Sequence, residues 1–292
     1  VVCTNQSSKR GIVTTDAVRF GGGMGNIERE GNLSELPRCL EGARYYAQWA
    51  GAPYKVYSGR EGKNDYADDI NTRSLMTNWL GGGSVYMPAL EGKNVPIELS
   101  LALHSDAGYN RDGKSTWGTL SICTTDFNDG MLNSGVSRMA SKDFARALRD
   151  NLVTDISAIY GEFGKRYLWD RNYSETRLPE VPSAILEMLS HQSFPDMRIA
   201  QDPMGKFAIA RSIYKTILRY INSNHDKPYV VQPLAPKNFS VELDDNFANL
   251  SWTPQLDSIE PSARPTRYIV YKAEGKGGFD NGTVVRRPNC QI

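Results

Sequence analysis

A histidine and an aspartate stand two residues apart at the end of one apolar stretch of the chain. Residues 96–108 read PIELSLALHSDAG, so that His104 and Asp106 fall where the apolar run gives way to glycine. Imidazole and carboxylate groups bind metal ions and exchange protons near neutral pH. The chain contains only three histidines. The pattern therefore predicts ligands or acid/base groups here, the alternative being a purely structural histidine at a strand end.

A second pair of such residues ends a later apolar run. Residues 182–191 read PSAILEMLSH, which places Glu187 among apolar neighbours and His191 just beyond them. A carboxylate within an apolar strand costs free energy unless it has a partner or lies beside a reactive centre. We expect Glu187 and His191 to be catalytic acid/base groups. The alternative is that Glu187 lies at the rim of the sheet and pairs with an arginine.

A glycine-rich loop is the third feature that could take part in binding or catalysis. Residues 21–26 read GGGMGN and follow the apolar segment 13–20, which predicts a strand. Closely spaced glycines let the backbone turn sharply and approach a ligand. The loop matches neither of the glycine patterns that bind nucleotide phosphates. A helix is predicted after it, with Ser34 as N-cap and continuing to Ala50.

Alternating strands and helices must position these residues. Beyond the segments already named, the patterns predict strands over 54–58, 115–125 and 182–189, helices over 67–80, 137–160 and 204–223, and an irregular segment over 169–176. This order predicts a three-layer α/β domain with a mostly parallel sheet. Ligands of such sheets bind at the carboxyl ends of the strands. We therefore expect the glycine-rich loop, His104 and Glu187 to meet at that edge.

Composition excludes several classes of protein. The 292 residues carry a formal net charge of +1, which gives no electrostatic reason to expect nucleic acid as a partner. No stretch reaches the ~20 apolar residues of a membrane-spanning helix. Residues 1–15 lack the apolar core of a signal peptide, so any export signal would have preceded them. The four cysteines form no CxxC pair, which argues against a zinc ribbon.

The end of the chain has a different character from the rest. Three prolines fall within residues 227–236, which we interpret as a linker between an α/β domain over 1–226 and a β module over 237–292. Short segments over 238–241, 248–252 and 267–271 alternate apolar and polar residues. They resemble strands of a fibronectin type III sandwich, and the length predicts only part of such a module.

The order of the motifs resembles that of the zinc-dependent N-acetylmuramoyl-L-alanine amidases, which cut peptidoglycan. The family's strand motif resembling SIHANA corresponds to LALHSDA at 101–107, and its late motif resembling PAVLVE corresponds to PSAILE at 182–187. The likeness spans roughly residues 12–222. The details RFGGGMGN, DYADDI, HSDAG and LEMLSHQSF are also similar to a bacterial group labelled xanthan lyase or golvin-domain proteins, in which an amidase-like domain precedes a fibronectin-like module.

The resemblance implies roles for individual residues. Glu35 and His104 match two of the zinc ligands of the amidases, and Glu187 matches the general base that deprotonates a zinc-bound water. Met24 stands where the family has its first histidine ligand, and a thioether is a poor ligand for zinc. The metal site is therefore expected to be degenerate, with Asp106 or His191 as the replacement ligand.

The hypothesis is thus a cell-wall hydrolase that is secreted, periplasmic or at the cell surface, with peptidoglycan or another glycan or peptide as its substrate. Two alternatives are a metal-free protein that binds glycans or peptides and a polysaccharide lyase. Residues expected to contact the substrate are Arg19, Met24, Asn26, Arg38, Ser105 and Tyr173.

Overall fold

The computed structural model describes Leu33, Glu35, Leu36 and residues 40–292. Three helices precede the sheet: α1 (Ala43–Trp49), α2 (Tyr54–Tyr57) and α3 (Asp65–Gly81). The Asn64 side chain caps α3 by accepting a hydrogen bond from the Ala67 N–H, and Asp65 and Asp68 place negative charge in its first turn. The helix predicted over 67–80 is confirmed as α3.

Two predictions in this region are wrong. Residues 54–57, predicted as part of a strand, form the single-turn helix α2, because Val56 packs with Ala47 and Ala52 in a small cluster against α3. A short apolar run has no periodicity that separates strand from helix. The helix predicted to run to Ala50 begins only at Ala43, after extended backbone at Gly42. Its predicted N-cap, Ser34, lies outside the described residues.

Among the described residues before Pro228, a mixed sheet of four strands forms the centre of the fold. The strands β1 (Ser100–Asp106), β2 (Thr119–Cys123), β3 (Lys165–Asp170) and β4 (Ser183–Ser190) lie in the order β1-β4-β2-β3. β1 is parallel to β4 and β2 to β3, whereas β4 and β2 are antiparallel. The predicted α/β class with a mostly parallel sheet is confirmed. The carboxyl ends of β1 and β4 therefore share one edge with the amino ends of β2 and β3.

Longer helices cover one face of the sheet. They are α4 (Met139–Tyr160), α6 (Phe194–Gln201) and α7 (Pro203–Asn224), with the single turn α5 (Ser174–Arg177) between β3 and β4. Buried side chains of α4 and α7, such as Phe144, Leu148 and Ile213, pack against Ala184 and Leu186 of β4 in the main core. The predicted helices over 137–160 and 204–223 correspond to α4 and α7.

The other face of the sheet carries a smaller apolar cluster and the candidate site. Leu120, Ile122 and Ile185 form this cluster, with Ala102 and Trp169 packed against it. Side chains two residues apart on a strand point to the same face. His104 follows Ala102 and Glu187 follows Ile185 on that face, so both lie one step nearer the edge where β1 and β4 end.

Residues from Pro228 onward belong to a second compact unit. It contains β5 (Lys237–Asp244), β6 (Phe247–Thr253), β7 (Tyr268–Val270), β8 (Thr283–Val285) and β9 (Asn289–Gln291). β5, β6 and β9 form one antiparallel sheet, and β7 pairs with β8. The Trp252 side chain is buried between the rings of Phe239 and Tyr268. The three predicted strands correspond to β5, β6 and β7.

None of the helices in the described part of the chain is both long and apolar enough to cross a membrane. Of the four cysteines, Cys123 and Cys290 are free thiols, while Cys3 and Cys39 lie outside the described residues.

Candidate functional site

His104 lies between two glutamates where β1 and β4 end. The parallel register of these strands places His104 beside Glu187, with His104 Nδ1 3.7 Å from Glu187 Oε1. On its other side, His104 Nε2 is 3.0 Å from Oε2 of Glu175, which belongs to the first turn of α5. The structure thus brings together two of the predicted site residues and adds a third.

Hydrogen bonds from neighbouring elements fix α5, and hence Glu175, over the sheet edge. Two side chains of α3 reach its backbone: Ser74 Oγ donates to the Ser174 carbonyl at 3.1 Å, and Asn78 Nδ2 to the Leu178 carbonyl at 2.8 Å. The buried hydroxyl of Thr176 lies 2.8 Å from that of Thr124, just after β2. These contacts position Glu175 against His104 although α5 is only one turn long.

The three side chains influence one another's protonation. The hydrogen bond to Glu175 raises the pKa of His104 above its ordinary value, against the opposing effect of burial. Burial on its own would raise the pKa of Glu175, but hydrogen bonds from His104 and Arg73 outweigh it and lower that pKa. His104 and Glu175 are therefore both charged, as imidazolium and carboxylate, over a wider pH range than the same two side chains would be when free in solution.

Glu187 differs from Glu175 in lacking a strong partner. Burial raises the pKa of Glu187, and the charge of His104 only partly opposes this. Its Oε2 atom is buried and has no hydrogen-bond partner. A half-buried carboxylate with a raised pKa accepts a proton more readily than an ordinary one.

A chain of ion pairs extends from the site into the preceding helices. Arg73 Nη1 lies 3.1 Å from Glu175 Oε1, and Arg73 Nη2 lies 3.3 Å from Asp69 Oδ2. Asp69 in turn pairs with Arg44 at 3.3 Å. Arg73 thereby brings a permanent positive charge next to the His104–Glu175 pair and connects it to α1 and α3.

The remaining predicted residues of β1 have other partners. The carboxylate of Asp106 pairs with Arg166 of β3 and accepts a hydrogen bond from the Ala107 N–H at 2.8 Å. Burial would raise the pKa of Asp106, but the hydrogen bonds from Arg166 and from the Ala107 N–H, together with the charge of Arg166, outweigh it and lower that pKa. Ser105 faces away from His104, and its Oγ lies 3.1 Å from His191 Nδ1. The structure thus separates His104 with Glu187 from Ser105 with His191.

Other predicted residues are only partly placed. Glu35 is exposed and has a left-handed backbone φ of 54°; it is not one of the carboxylates found against His104. Tyr173 is half exposed and precedes α5, where its carbonyl accepts the N–H of Arg177 at 2.8 Å. The predicted substrate contacts that lie outside the described residues are Arg19, Met24, Asn26 and Arg38.

The described side chains do not fit a zinc site. Within that part of the chain, no group of three His, Cys, Asp or Glu side chains is arranged to hold a metal ion. Both ring nitrogens of His104 face carboxylates, and Asp106 is occupied by Arg166. Zinc held by Glu35, His104 and Asp106 stays a prediction.

Sequence reasoning missed the part that Glu175 and Arg73 play. Glu175 falls in the segment 169–176, which the sequence predicts to be irregular. The available signal was local: an acidic residue in the first turn of a helix that follows a strand. That Glu175 reaches His104 depends on how α5 folds back over the sheet, which no spacing along the chain reveals.

A broad groove lies at the same edge of the sheet, beside the amino end of β3. Its volume is about 1120 Å³, and its lining includes Trp117, Arg166 and Tyr167. Arg166 connects the groove to the site, because its guanidinium lies 4.4 Å from the centre of the Trp117 ring while it pairs with Asp106. The groove is large enough for an extended ligand, and the Arg166–Asp106 pair connects its lining to β1, two residues beyond His104.

No protein-family model matches the chain, and no curated protein matches it. Among solved structures, the N-acetylmuramoyl-L-alanine amidase from Clostridium difficile 630 is similar with a TM-score of 0.37 and 14% identity, over 58% of this chain and 79% of that one. The CwlD amidase from Clostridioides difficile, solved with the GerS lipoprotein, is similar with a TM-score of 0.40 and 14% identity. This match covers 62% of this chain and 81% of that one. Ami1 from Mycobacterium smegmatis, an N-acetylmuramyl-L-alanine amidase, is similar with a TM-score of 0.38 and 18% identity. This match covers 73% of this chain and 86% of that one. Such low similarity carries no argument about activity, so the function is argued from the site residues.

Proposed function

We propose that this protein hydrolyses an amide bond of peptidoglycan, with Glu187 as the general base. The observation that carries the proposal is the Glu187 carboxylate beside His104 at the end of β4, with no hydrogen-bond partner at its Oε2. A carboxylate whose pKa is raised accepts a proton more readily than an ordinary one. The sequence resemblance to peptidoglycan amidases, in which the late glutamate is the base, supports the choice of an amide as the bond that is cut.

The proposed reaction uses the side chains around His104. Glu187 takes a proton from a water molecule while the water oxygen attacks the carbonyl carbon of the amide. The positive charge of His104 stabilises the negative charge that develops on the carbonyl oxygen. The carbon–nitrogen bond then breaks, and Glu187 returns the proton to the departing nitrogen. The products are a carboxylic acid and an amine.

Glu175 and Arg73 support this reaction as positioning residues. Glu175 fixes one ring nitrogen of His104 and favours its protonated form. Arg73 keeps Glu175 ionised by pairing with it. Together they hold a positive charge at the sheet edge before substrate arrives, so that little reorganisation is needed during the reaction. The proposed substrate implies a location outside the cytoplasm, where peptidoglycan lies.

The test compares release of soluble fragments from purified peptidoglycan by the wild type and by Glu187→Gln. The substitution keeps the size of the side chain and removes the base, so the rate should fall by roughly 100-fold or more. Glu98→Gln is the matched control, because Glu98 also faces a histidine, His225 at 2.7 Å, but away from this site. Hydrolysis by Glu187→Gln at the wild-type rate, or no hydrolysis by the wild type, would overturn the proposal.

A further inference from the structure

We propose that the groove beside the site binds the sugar rings of a glycan strand, with the stacked rings of Tyr167 and Trp169 as the platform. The inference rests on the proposed function, since it assigns the part of the substrate that lies away from the bond that is cut. It concerns side chains of β3, none of which was selected from the sequence.

The ring of Tyr167 stacks on that of Trp169 and is the exposed member of the pair. Their centroids are 5.7 Å apart and their planes differ by 11°. Tyr167 is 63% exposed and lines the groove, whereas Trp169 packs below it against the cluster around Ile122 and Ile185. One ring is therefore anchored in the fold while the other faces solvent.

Such a surface suits a sugar better than it suits other ligands. The face of an aromatic ring carries partial negative charge, and the axial C–H groups of a pyranose ring form an apolar face with partial positive charge. The hydroxyl groups at the edge of the sugar then need polar partners. The groove supplies them through Asn110, Lys114, Arg198 and Asp202, whose mixed charges suit a largely neutral glycan.

The platform lies at a useful distance from the base. In the sheet, Trp169 pairs with Ile122, and Ile122 with Ile185, two residues before Glu187. Two strand spacings separate β3 from β4, or about 10 Å, which is the length of roughly two sugar rings. A glycan stacked on Tyr167 would thus direct its peptide substituent toward His104 and Glu187, passing Arg166 on the way.

The test measures binding without turnover, by titration calorimetry in the Glu187→Gln background. The probe is the β-linked tetrasaccharide of N-acetylglucosamine, which has no peptide. Adding Tyr167→Ala should weaken binding by roughly tenfold, whereas Tyr167→Phe, which keeps the ring, should retain most of the affinity. Tyr66→Ala is the control, because Tyr66 is also highly exposed but lies on α3.

Two results would overturn this inference: no saturable binding of the tetrasaccharide, or equal affinity in Tyr167→Ala and Tyr66→Ala. Either can occur while the wild type still hydrolyses peptidoglycan, in which case only the platform is wrong. Conversely, binding that depends on Tyr167 in a protein without hydrolytic activity would overturn the proposed function and leave the platform intact. Circular dichroism of each variant establishes that the fold is retained.

Discussion

Among single residues, Glu187 has an environment that favours the proposed chemistry but lowers the stability of the fold. Glu187 is half buried, and one of its oxygens has no partner, an arrangement that favours proton transfer but costs folding free energy. His104 and Glu175, by contrast, stabilise each other through a direct ion pair. Both features are of the kind that an active site retains for its chemistry, and each leads to a measurable effect on stability.

Replacing Glu187 by Gln should make the protein more stable near neutral pH. Because burial raises the pKa of Glu187 in the folded state, ionisation of this group opposes folding at any pH well above its ordinary value. The melting temperature of Glu187→Gln should therefore exceed that of the wild type near pH 7, and the gap should close as the pH falls below about 4.5. A variant that is less stable than the wild type near pH 7 would show that Glu187 is a structural residue.

The His104–Glu175 pair should stabilise the fold in a window of pH. The raised pKa of His104 contributes stability that is complete below about pH 6.5 and is lost as the pH rises through the folded-state value. The lowered pKa of Glu175 contributes stability that is complete above about pH 4.5 and is lost as the pH falls through its folded-state value. The loss of melting temperature in Glu175→Gln should thus be larger near pH 5.5 than near pH 9. Equal losses at the two values would contradict the ion pair.

Residue types and spacing were enough to find His104 and Glu187 but not their surroundings. His104 ends one apolar run and Glu187 interrupts another, and both positions are visible in the sequence. The partner Glu175 and the arginine behind it come from elements that meet only in the folded chain. Asp106 and His191 also have side chains that could bind a metal or transfer a proton, but each has another partner. Asp106 pairs with Arg166, and His191 contacts Ser105, which strand alternation turns away from His104.

At the scale of elements, one buried carboxylate ties the site strand to the groove. Asp196 of α6 is fully buried. It accepts hydrogen bonds from the backbone N–H groups of Trp117, Gly118 and Ser190 at 2.8, 3.0 and 2.8 Å, and from Ser193 Oγ at 3.1 Å. The end of β4 and the start of β2 are thus fixed by the same side chain.

Removing that carboxylate should destabilise the unit strongly. Asp196→Ala leaves three buried N–H groups without acceptors, each costing roughly 1–3 kcal/mol, so the free energy of unfolding should fall by about 3 kcal/mol or more. Asp143→Ala, which removes an exposed carboxylate paired only with Arg146, should change it by less than about 1 kcal/mol. Urea denaturation gives both values, and similar losses in the two variants would contradict this role for Asp196.

The elements themselves were predictable where their patterns were long. The helices α3, α4 and α7 and the strand β4 follow the sequence periodicity closely. The strand β3 was missed because Lys165, Arg166 and Asp170 make it polar, as suits the last strand of the sheet formed by the described residues. The helix α2 was mistaken for a strand because four residues show no period, and its packing on α3 decides its form.

At the scale of the whole molecule, the chain divides into two compact units between Lys227 and Pro228. The first has a large apolar core on one sheet face, whereas β5 of the second is exposed along its whole length. Two units with separate cores should unfold independently. Scanning calorimetry of the full chain should therefore show two transitions, and Asp196→Asn should lower only the one that belongs to the first unit. A single cooperative transition shifted as a whole by this substitution would contradict independent units.

If Glu187 drives hydrolysis of an amide bond, the reaction products identify the bond that is cut and the source of the added oxygen. Peptidoglycan is digested by the wild type and by Glu187→Gln in water enriched in heavy oxygen, and the fragments are weighed by mass spectrometry. We expect released peptides with a free amino terminus, one heavy oxygen in the new carboxylate on the glycan, and neither product from Glu187→Gln. New reducing sugar ends, unsaturated sugars, or equal release by both proteins would contradict it.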